Sequence, residues 1–218
     1  MNEQNTTKHP TIAMPTVLSV RGLSFRIPER ELFSDWSIAI PAGVTLVRGG
    51  EGRGKTTLLR LLAGDLSADA GHLQINDIRQ RRPEAYQQQV FWVDPRSDAF
   101  DQLTPAAYLK SLHKLYSTFD ERVLDDLIIG LSLEPHVDKQ LFMLSTGSKR
   151  KVFLAAAFAS GATVTLLDQP FAALDKVSRD VVMAHLERAA GDPCRACVVG
   201  DYEAPGDVPL AAIIDLGD

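Results

Sequence analysis

The sequence predicts an α/β domain: a parallel sheet covered by helices, with a small antiparallel β subdomain ahead of it and a helical subdomain inserted within it. Three observations carry this prediction. Short apolar runs alternate with helical runs along most of the chain, residues 16–40 read as extended pieces joined by tight turns, and residues 104–130 form a more polar, helix-rich stretch.

Taken in order, the opening MNEQNTTKHPTIAMP, residues 1–15, is polar and lacks the apolar core of a secretory signal, so it reads as a flexible tail. TVLSVRGLSFRI and ELFSDWSIAI alternate apolar and polar residues, with turn chemistry at PER and PAG, as antiparallel strands do. GVTLVRGG is a buried strand running into glycines, and KTTLLRLLAGDL is a helix with one apolar face, ended by Gly64. AGHLQIND reads as a turn and a strand, and Val90 to Val93 as a further short strand. In TPAAYLKSLHKLYSTFDERVLDDLIIGL, Pro105 sits where a first helical turn accepts it. STGSKRKVFLAAAFAS opens with Ser and small residues, becomes an apolar helix and leads to the strand TVTLLD. A last helix over about 176–190 precedes the strands ACVVGD and AAIIDLGD. The expected organisation is therefore the tail at 1–15 and one domain over 16–218, with the helical subdomain at about 95–160 and no internal repeat.

The 218 residues, 45% hydrophobic and 23% charged, suit one domain of ordinary globular composition. A formal net charge of -5 disfavours a broad basic face, so no direct contact with nucleic acid is expected. The cluster Arg79, Arg81, Arg82 reads as a solvated loop. The longest uncharged apolar run, Val152 to Leu167, is interrupted by Ser160-Gly161 and is too short to span a bilayer comfortably; a membrane passage would have to come from a partner. Cys194 and Cys197, in PCRAC, have no second pair for structural zinc and no following His for haem. They read as ordinary reduced thiols, with a redox dithiol as the alternative, and a cytosolic setting fits both.

GGEGRGKT, Gly49 to Thr56, matches G-x-x-x-x-G-K-[ST] between a predicted strand and a predicted helix, the context this motif requires. The glycines let the backbone of Gly49, Gly50, Glu51, Gly52, Arg53 and Gly54 curl into an anion nest at the positive end of a helix. Lys55 can reach β and γ phosphates, Thr56 offers a hydroxyl to Mg²⁺, and Thr57 can add a phosphate contact. A glycine-rich turn that merely precedes a helix is the plain alternative, but pattern and context agree independently. The apolar strand VTLLD should end beside this loop, since ligands bind at the carboxyl ends of such strands, and would place Asp168 to hold Mg²⁺.

The order of motifs resembles the ATP-binding cassette (ABC) family from about Thr16 onward. The marks are GGEGRGKTT, then LSTGSKRKVFLAAA in the place of the family signature, then TVTLLDQPFAALD. LSTGS keeps Leu144, Ser145 and Gly147 of the usual L-S-G-G-Q pattern, while Thr146 and Ser148 depart from it. The resemblance implies a P-loop NTPase core that binds ATP and Mg²⁺, a head-to-tail pair with a second cassette, identical or not, and an integral membrane permease partner on the inner face of the membrane. It also implies that Ser145 and Gly147 contact the γ phosphate held by the other subunit, and that Asp175 lies in the loop touching that subunit. An ordinary helix N-cap with a basic first turn is the plain reading of LSTGSKRK; those cations oppose the helix dipole, which favours an anionic ligand or partner.

Four positions depart from the family pattern. Gln169 stands where an acid is expected after Asp168; an amide can orient a water but not take its proton. Asp94 or Pro95 occupies the usual Gln position, Gly200 the place of a late His, and Arg26 or Ile27 the place of a base-stacking aromatic, with Phe25 nearby. Gln169 is either a substitution made to hold ATP in a closed dimer or a mark of natural slowness. Gly200 and the 94–95 segment are independent deviations and favour the second.

The expected function is that of an ATP-binding transporter subunit with slow hydrolysis. ELFSDWSIAIPAGVTLVRGGEGRGKTTLLRLLAGDL is most similar to the small cassettes of cytochrome c maturation, which serve haem handling. A soluble cassette of translation or DNA repair would need tandem cassettes or coiled-coil insertions. A P-loop small-molecule kinase would explain the phosphate loop but not LSTGS and LLDQPFAALD. A non-hydrolysing nucleotide sensor is the remaining alternative.

Overall fold

The computed structural model describes residues 14–217, so the expected tail lies almost wholly outside the described residues. Strands β1 (Thr16–Ile27) and β2 (Arg30–Pro41) pair antiparallel around the PER turn. The strand β4 (Ala70–Ile75) pairs on the other side of β1, and a two-residue strand β5 (Ile78–Arg79) extends this sheet. Alternation along β1 buries Leu18 and Val20. A register shift spanning Gly22 then brings Leu23 to the core as well.

The second sheet is all parallel, in the order β6 (Val90–Phe91), β7 (Val164–Asp168), β8 (Ala196–Gly200), β3 (Gly43–Arg48), β9 (Leu210–Asp215). Such a sheet must be covered on both faces, and its strands read as apolar runs for that reason. Leu166 and Val198 face a core shared with Leu58, Leu59 and Leu62 of α1 (Lys55–Ala63) and with the antiparallel sheet. Their neighbours Leu167, Cys197 and Val199 face the opposite core, which holds Val152 to Ala157 of α5 (Thr146–Ala159) and Val182 and Leu186 of α6 (Lys176–Ala190). Burial pushes the Cys197 thiol up to about 12, and Cys194 is unpaired and exposed, as two ordinary reduced thiols would be.

Between β6 and β7 run α3 (Pro105–Leu115), α4 (Glu121–Gly130), two short 3-10 turns at 134–136 and 141–143, and α5. Thr104 caps α3 by accepting the Ala107 N–H at 3.1 Å, with Pro105 in the first turn as expected. The short helix α2 (Pro83–Gln87) was not legible in RRPEAYQQQ. It forms because Tyr86 is buried there and its hydroxyl donates to the Leu62 carbonyl at 2.7 Å. Arg81 and Arg82 are exposed, as a solvated loop requires. Among the described residues no helix is long and apolar enough to cross a membrane.

Candidate nucleotide-binding site

The carboxyl ends of β3, β7 and β8 lie side by side, because Gly200 pairs with Val47 on one side and Asp168 on the other. The three loops that leave these ends build the site, where open α/β sheets receive their ligands.

The first loop runs from Gly49 to Gly54. Gly49, Gly52 and Gly54 have φ of 152°, 69° and 99°, in the region that favours glycine, and this turns the chain back on itself before α1. Gly54 stands immediately before the helix with no side-chain cap, and the first turn holds no acid, so its free N–H groups are open to an anion. Glu51 and Arg53 are exposed and leave the loop backbone clear. Lys55 is buried; its ammonium donates to the carbonyls of Gly49 (2.6 Å) and Gly50 (2.9 Å) and lies 3.9 Å from the ring centre of Tyr202. Thr57 follows in the same first turn.

The Thr56 hydroxyl donates to Asp168 Oδ2 at 2.7 Å, so the two residues expected to share a metal do converge. Burial raises the Asp168 carboxyl, and the Thr56 hydrogen bond partly opposes this. Among the described residues there is no cluster of three or more acids, His or Cys that could hold a metal. Two hard oxygens beside a phosphate nest are instead the donor set of an ion that takes its remaining ligands from phosphate and water.

The second loop starts with Gln169, held at φ 46° by two backbone contacts. Its N–H donates to the Gly200 carbonyl at 2.8 Å, and its own carbonyl accepts from the guanidinium of Arg150. Arg150 also reaches the Asp168 carbonyl at 3.4 Å, while its buried Nε has no partner. Burial lowers the Arg150 pKa. Asp94 and Arg96 both act on the charge of Asp168, and Pro95 lines a small cavity beside it. The 94–96 segment thus faces Asp168 whichever residue is aligned with the family Gln.

The third loop follows Gly200. A Cβ there would stand 3.0 Å from Leu59 Cδ1 and 3.6 Å from Asp168 Oδ1, so the glycine admits a leucine of α1. Beyond it, Asp201 and Tyr202 line a cleft of about 470 Å³ together with Gln169, Phe171 and Arg179. Burial raises the Asp201 carboxyl, and the charge of Asp168 adds to this.

The signature segment opens α5. Ser145 caps α5, accepting the Ser148 N–H at 3.1 Å. A Cβ on Gly147 would fall 2.5 Å from the Ala173 carbonyl oxygen, so only glycine fits where this helix meets the 171–175 loop. No hydrogen bond among the described residues joins Ser145 or Gly147 to the phosphate loop. Two of the three cations that open α5 are met by carboxylates within the chain. Lys149 binds the Ser97 carbonyl at 2.7 Å and the Asp101 carboxylate, Arg150 binds Gln169, and Lys151 binds Asp175 at 2.7 Å. Arg150 meets only backbone carbonyls and keeps a buried Nε without a partner.

Arg26 is tied through its N–H to Asp69 at 2.9 Å and lies 3.8 Å from Glu31, and Phe25 pairs across to Phe33. From the same hairpin it is Arg30 that reaches the phosphate loop, donating to the Gly52 carbonyl, with Leu32 packed beside Gly54. Sequence reading missed Arg30, Arg150 and Tyr202. PER reads as a turn and KRK as a basic first helical turn, and neither pattern points to a partner residue elsewhere in the chain.

Known proteins are similar to this chain in sequence and in fold. The ABC transporter family pattern matches residues 33–172. The chain is 34% identical over 167 residues to the cytochrome c biogenesis ATP-binding export protein CcmA of Pseudomonas savastanoi pv. phaseolicola, covering 76% of this chain and 78% of that protein. To the protein of the same name in Escherichia coli K12 it is 34% identical over 162 residues, covering 73% and 76%. Among solved structures it superposes on an ATP-binding subunit of an ABC transporter with a TM-score of 0.77 at 22% identity, over 86% of this chain and 80% of that one. It superposes on cbiO1 of Clostridium perfringens, part of the ABC transporter complex cbiONQ, with 0.63 at 18%, over 87% and 79%. The chain belongs to the ABC transporter family, as an ATP-binding subunit with the family's P-loop ATPase core, closely related to the CcmA-type cassettes of cytochrome c biogenesis.

Proposed function

We propose that this subunit works as half of a head-to-tail cassette pair that closes around ATP with Mg²⁺, hydrolyses it slowly, and drives an integral membrane permease from the inner face of the membrane. The names of the relatives, ATP-binding export proteins, support an export role. In this reading the amides of Gly49 and of Glu51 to Gly54, with Lys55, Thr56 and Thr57, hold the phosphates, the Gly50 N–H being taken by the Gly217 carbonyl at 2.9 Å, and Thr56 and Asp168 hold Mg²⁺. When bound, the ion supplies positive charge against the phosphate oxygens. Ser145 and Gly147 approach the γ phosphate from the second cassette, identical or not. Gln169 orients the attacking water without accepting its proton, and Gly200 offers no side chain; both slow the reaction.

The observation that supports this reading is that no hydrogen bond among the described residues joins Ser145 or Gly147 to the phosphate loop of the same chain. The nest and the Thr56–Asp168 pair lie at the carboxyl ends of the sheet, whereas Ser145 caps a helix that the chain ties to the 171–175 loop instead. A capped but unshared helix start at the signature suits a site completed by a partner.

Sedimentation of the purified chain with and without Mg²⁺ and ATP tests it. Nucleotide-dependent dimerisation, slow phosphate release and co-purification with a multi-span membrane protein are expected. A chain that binds nucleotide and stays monomeric under all conditions would instead be the non-hydrolysing sensor, a reading that Gln169 favours.

A further inference from the structure

We propose that Tyr202 is the residue by which this cassette distinguishes a nucleoside triphosphate from a diphosphate, in the place that Gly200 leaves without a side chain. The proposal rests on the assignment of Lys55 to the terminal phosphates. The Tyr202 ring centre lies 3.9 Å from the Lys55 ammonium, and the other groups that bind this ammonium are backbone carbonyls of Gly49 and Gly50. A cation over an aromatic face is attracted by the ring quadrupole, so Tyr202 and Lys55 are held together.

Three further features hold this tyrosine beside Lys55 at the edge of the cleft. The turn that carries it is fixed to the strand entering the phosphate loop, because the Asp201 N–H donates to the Val47 carbonyl at 3.1 Å. The Tyr202 N–H is held in turn by the Asp201 carboxylate at 2.8 Å. Tyr202 is 50% exposed, unlike the buried Tyr86, Tyr108 and Tyr116 of this chain, and it lines the cleft that Gln169 opens into. Its hydroxyl is therefore free to donate to an incoming anion. Gly200 cannot take this part even through a substituted side chain without moving Leu59, whose Cδ1 would stand 3.0 Å from the new Cβ.

A phenol that donates to the γ phosphate adds affinity for the triphosphate alone. A hydrogen bond to a charged group contributes roughly ten- to a hundredfold in a binding constant. The test compares the intact chain with Tyr202→Phe and Tyr202→Ala, measuring Kd for Mg-ADP and for the Mg complex of the non-hydrolysable β,γ-imido analogue of ATP. Tyr202→Phe keeps the ring over Lys55 and removes only the hydroxyl. It should weaken the triphosphate analogue by about tenfold or more and leave ADP unchanged. Tyr202→Ala should weaken the analogue at least as far. Equal losses for both nucleotides, or no loss for either, overturn the proposal, and thermal melting of each variant shows that it is folded. A wild-type chain that binds neither nucleotide would sink the cassette reading itself; a wild type that binds and dimerises, with Tyr202→Phe discriminating as it does, sinks only the role of Tyr202.

Discussion

The Thr56 hydroxyl and the Asp168 carboxylate, 112 residues apart in sequence, are joined by a hydrogen bond of 2.7 Å that ties the first turn of α1 to the end of β7. That bond holds a partly buried carboxylate where a cation is wanted, and burial raises its pKa in the folded chain. Well below the unfolded value Asp168 is protonated in both states and pH has no effect on stability through it. As pH rises past the folded value the buried charge costs stability in full. Asp168→Asn should therefore melt higher than the wild type at pH 8, lose that advantage in acid, and lose Mg²⁺-dependent nucleotide binding. Paired thermal melts and nucleotide titrations check it; a variant that melts lower at pH 8 contradicts the account.

Gln169→Glu should raise phosphate release by about two to four orders of magnitude, the usual contribution of a positioned general base. The backbone at 169 is fixed by the Gly200 carbonyl and by Arg150, so the side chain can change without moving the turn. The guanidinium of Arg150 beside it favours the ionised form of a new acid. An unchanged rate in a variant that still binds ATP would show that the slow step is not proton removal.

Gly147→Ala should destabilise the chain by about 1–3 kcal/mol, the range for forcing atoms into a packed contact. The added carbon would fall 2.5 Å from a backbone oxygen, Ala173 O, which has no flexible end to swing aside. Gly52→Ala makes the contrast: nothing lies within 4 Å, so its cost is the left-handed backbone alone, about 1 kcal/mol. Denaturant midpoints separate the two. ATP-dependent dimerisation should suffer in Gly147→Ala, whose strain falls on the segment offered to the second cassette.

The parts of the fold that were legible are those that local chemistry dictates. The period of two along TVLSVRGLSFRI, the apolar runs of β3, β7 and β8, Pro105 after a capping Thr104, and Gly64 at the end of α1 each impose a conformation on their neighbours. The phosphate loop was legible for the same reason, since glycine spacing alone shapes it. Arg30, Arg150 and Tyr202 were not, because each acts through a partner brought near only by the folded sheet: Gly52, Gln169 and Lys55. The cations of SKRK misled for that reason too. The counter-charges of Lys149 and Lys151, Asp101 and Asp175, stand far off in sequence, so an unpaired run was read where the structure has two pairs.

Asp175 should behave opposite to Asp168 against pH. It caps α6 by accepting the Ser178 N–H at 2.9 Å, accepts the Ser178 hydroxyl at 2.9 Å, and accepts from Lys151 of α5 at 2.7 Å. The Lys151 hydrogen bond, followed by those from Ser178, holds its carboxyl well below the usual aspartate range. A carboxyl depressed in the folded state contributes stability above its unfolded pKa and loses it as pH falls through the folded value. Asn retains the capping oxygen but not the charge, and Ala retains neither, so melting temperatures at pH 7 should fall in the order wild type, Asp175→Asn, Asp175→Ala. Salt should narrow the gap between wild type and Asn, because the pair is exposed on the Asp175 side, and should leave the gap between Asn and Ala, which is a neutral cap, nearly unchanged. Both variants should also show a flatter acid limb than the wild type, and an acid limb identical in all three would mean that the Lys151–Asp175 link carries no charge-dependent stability.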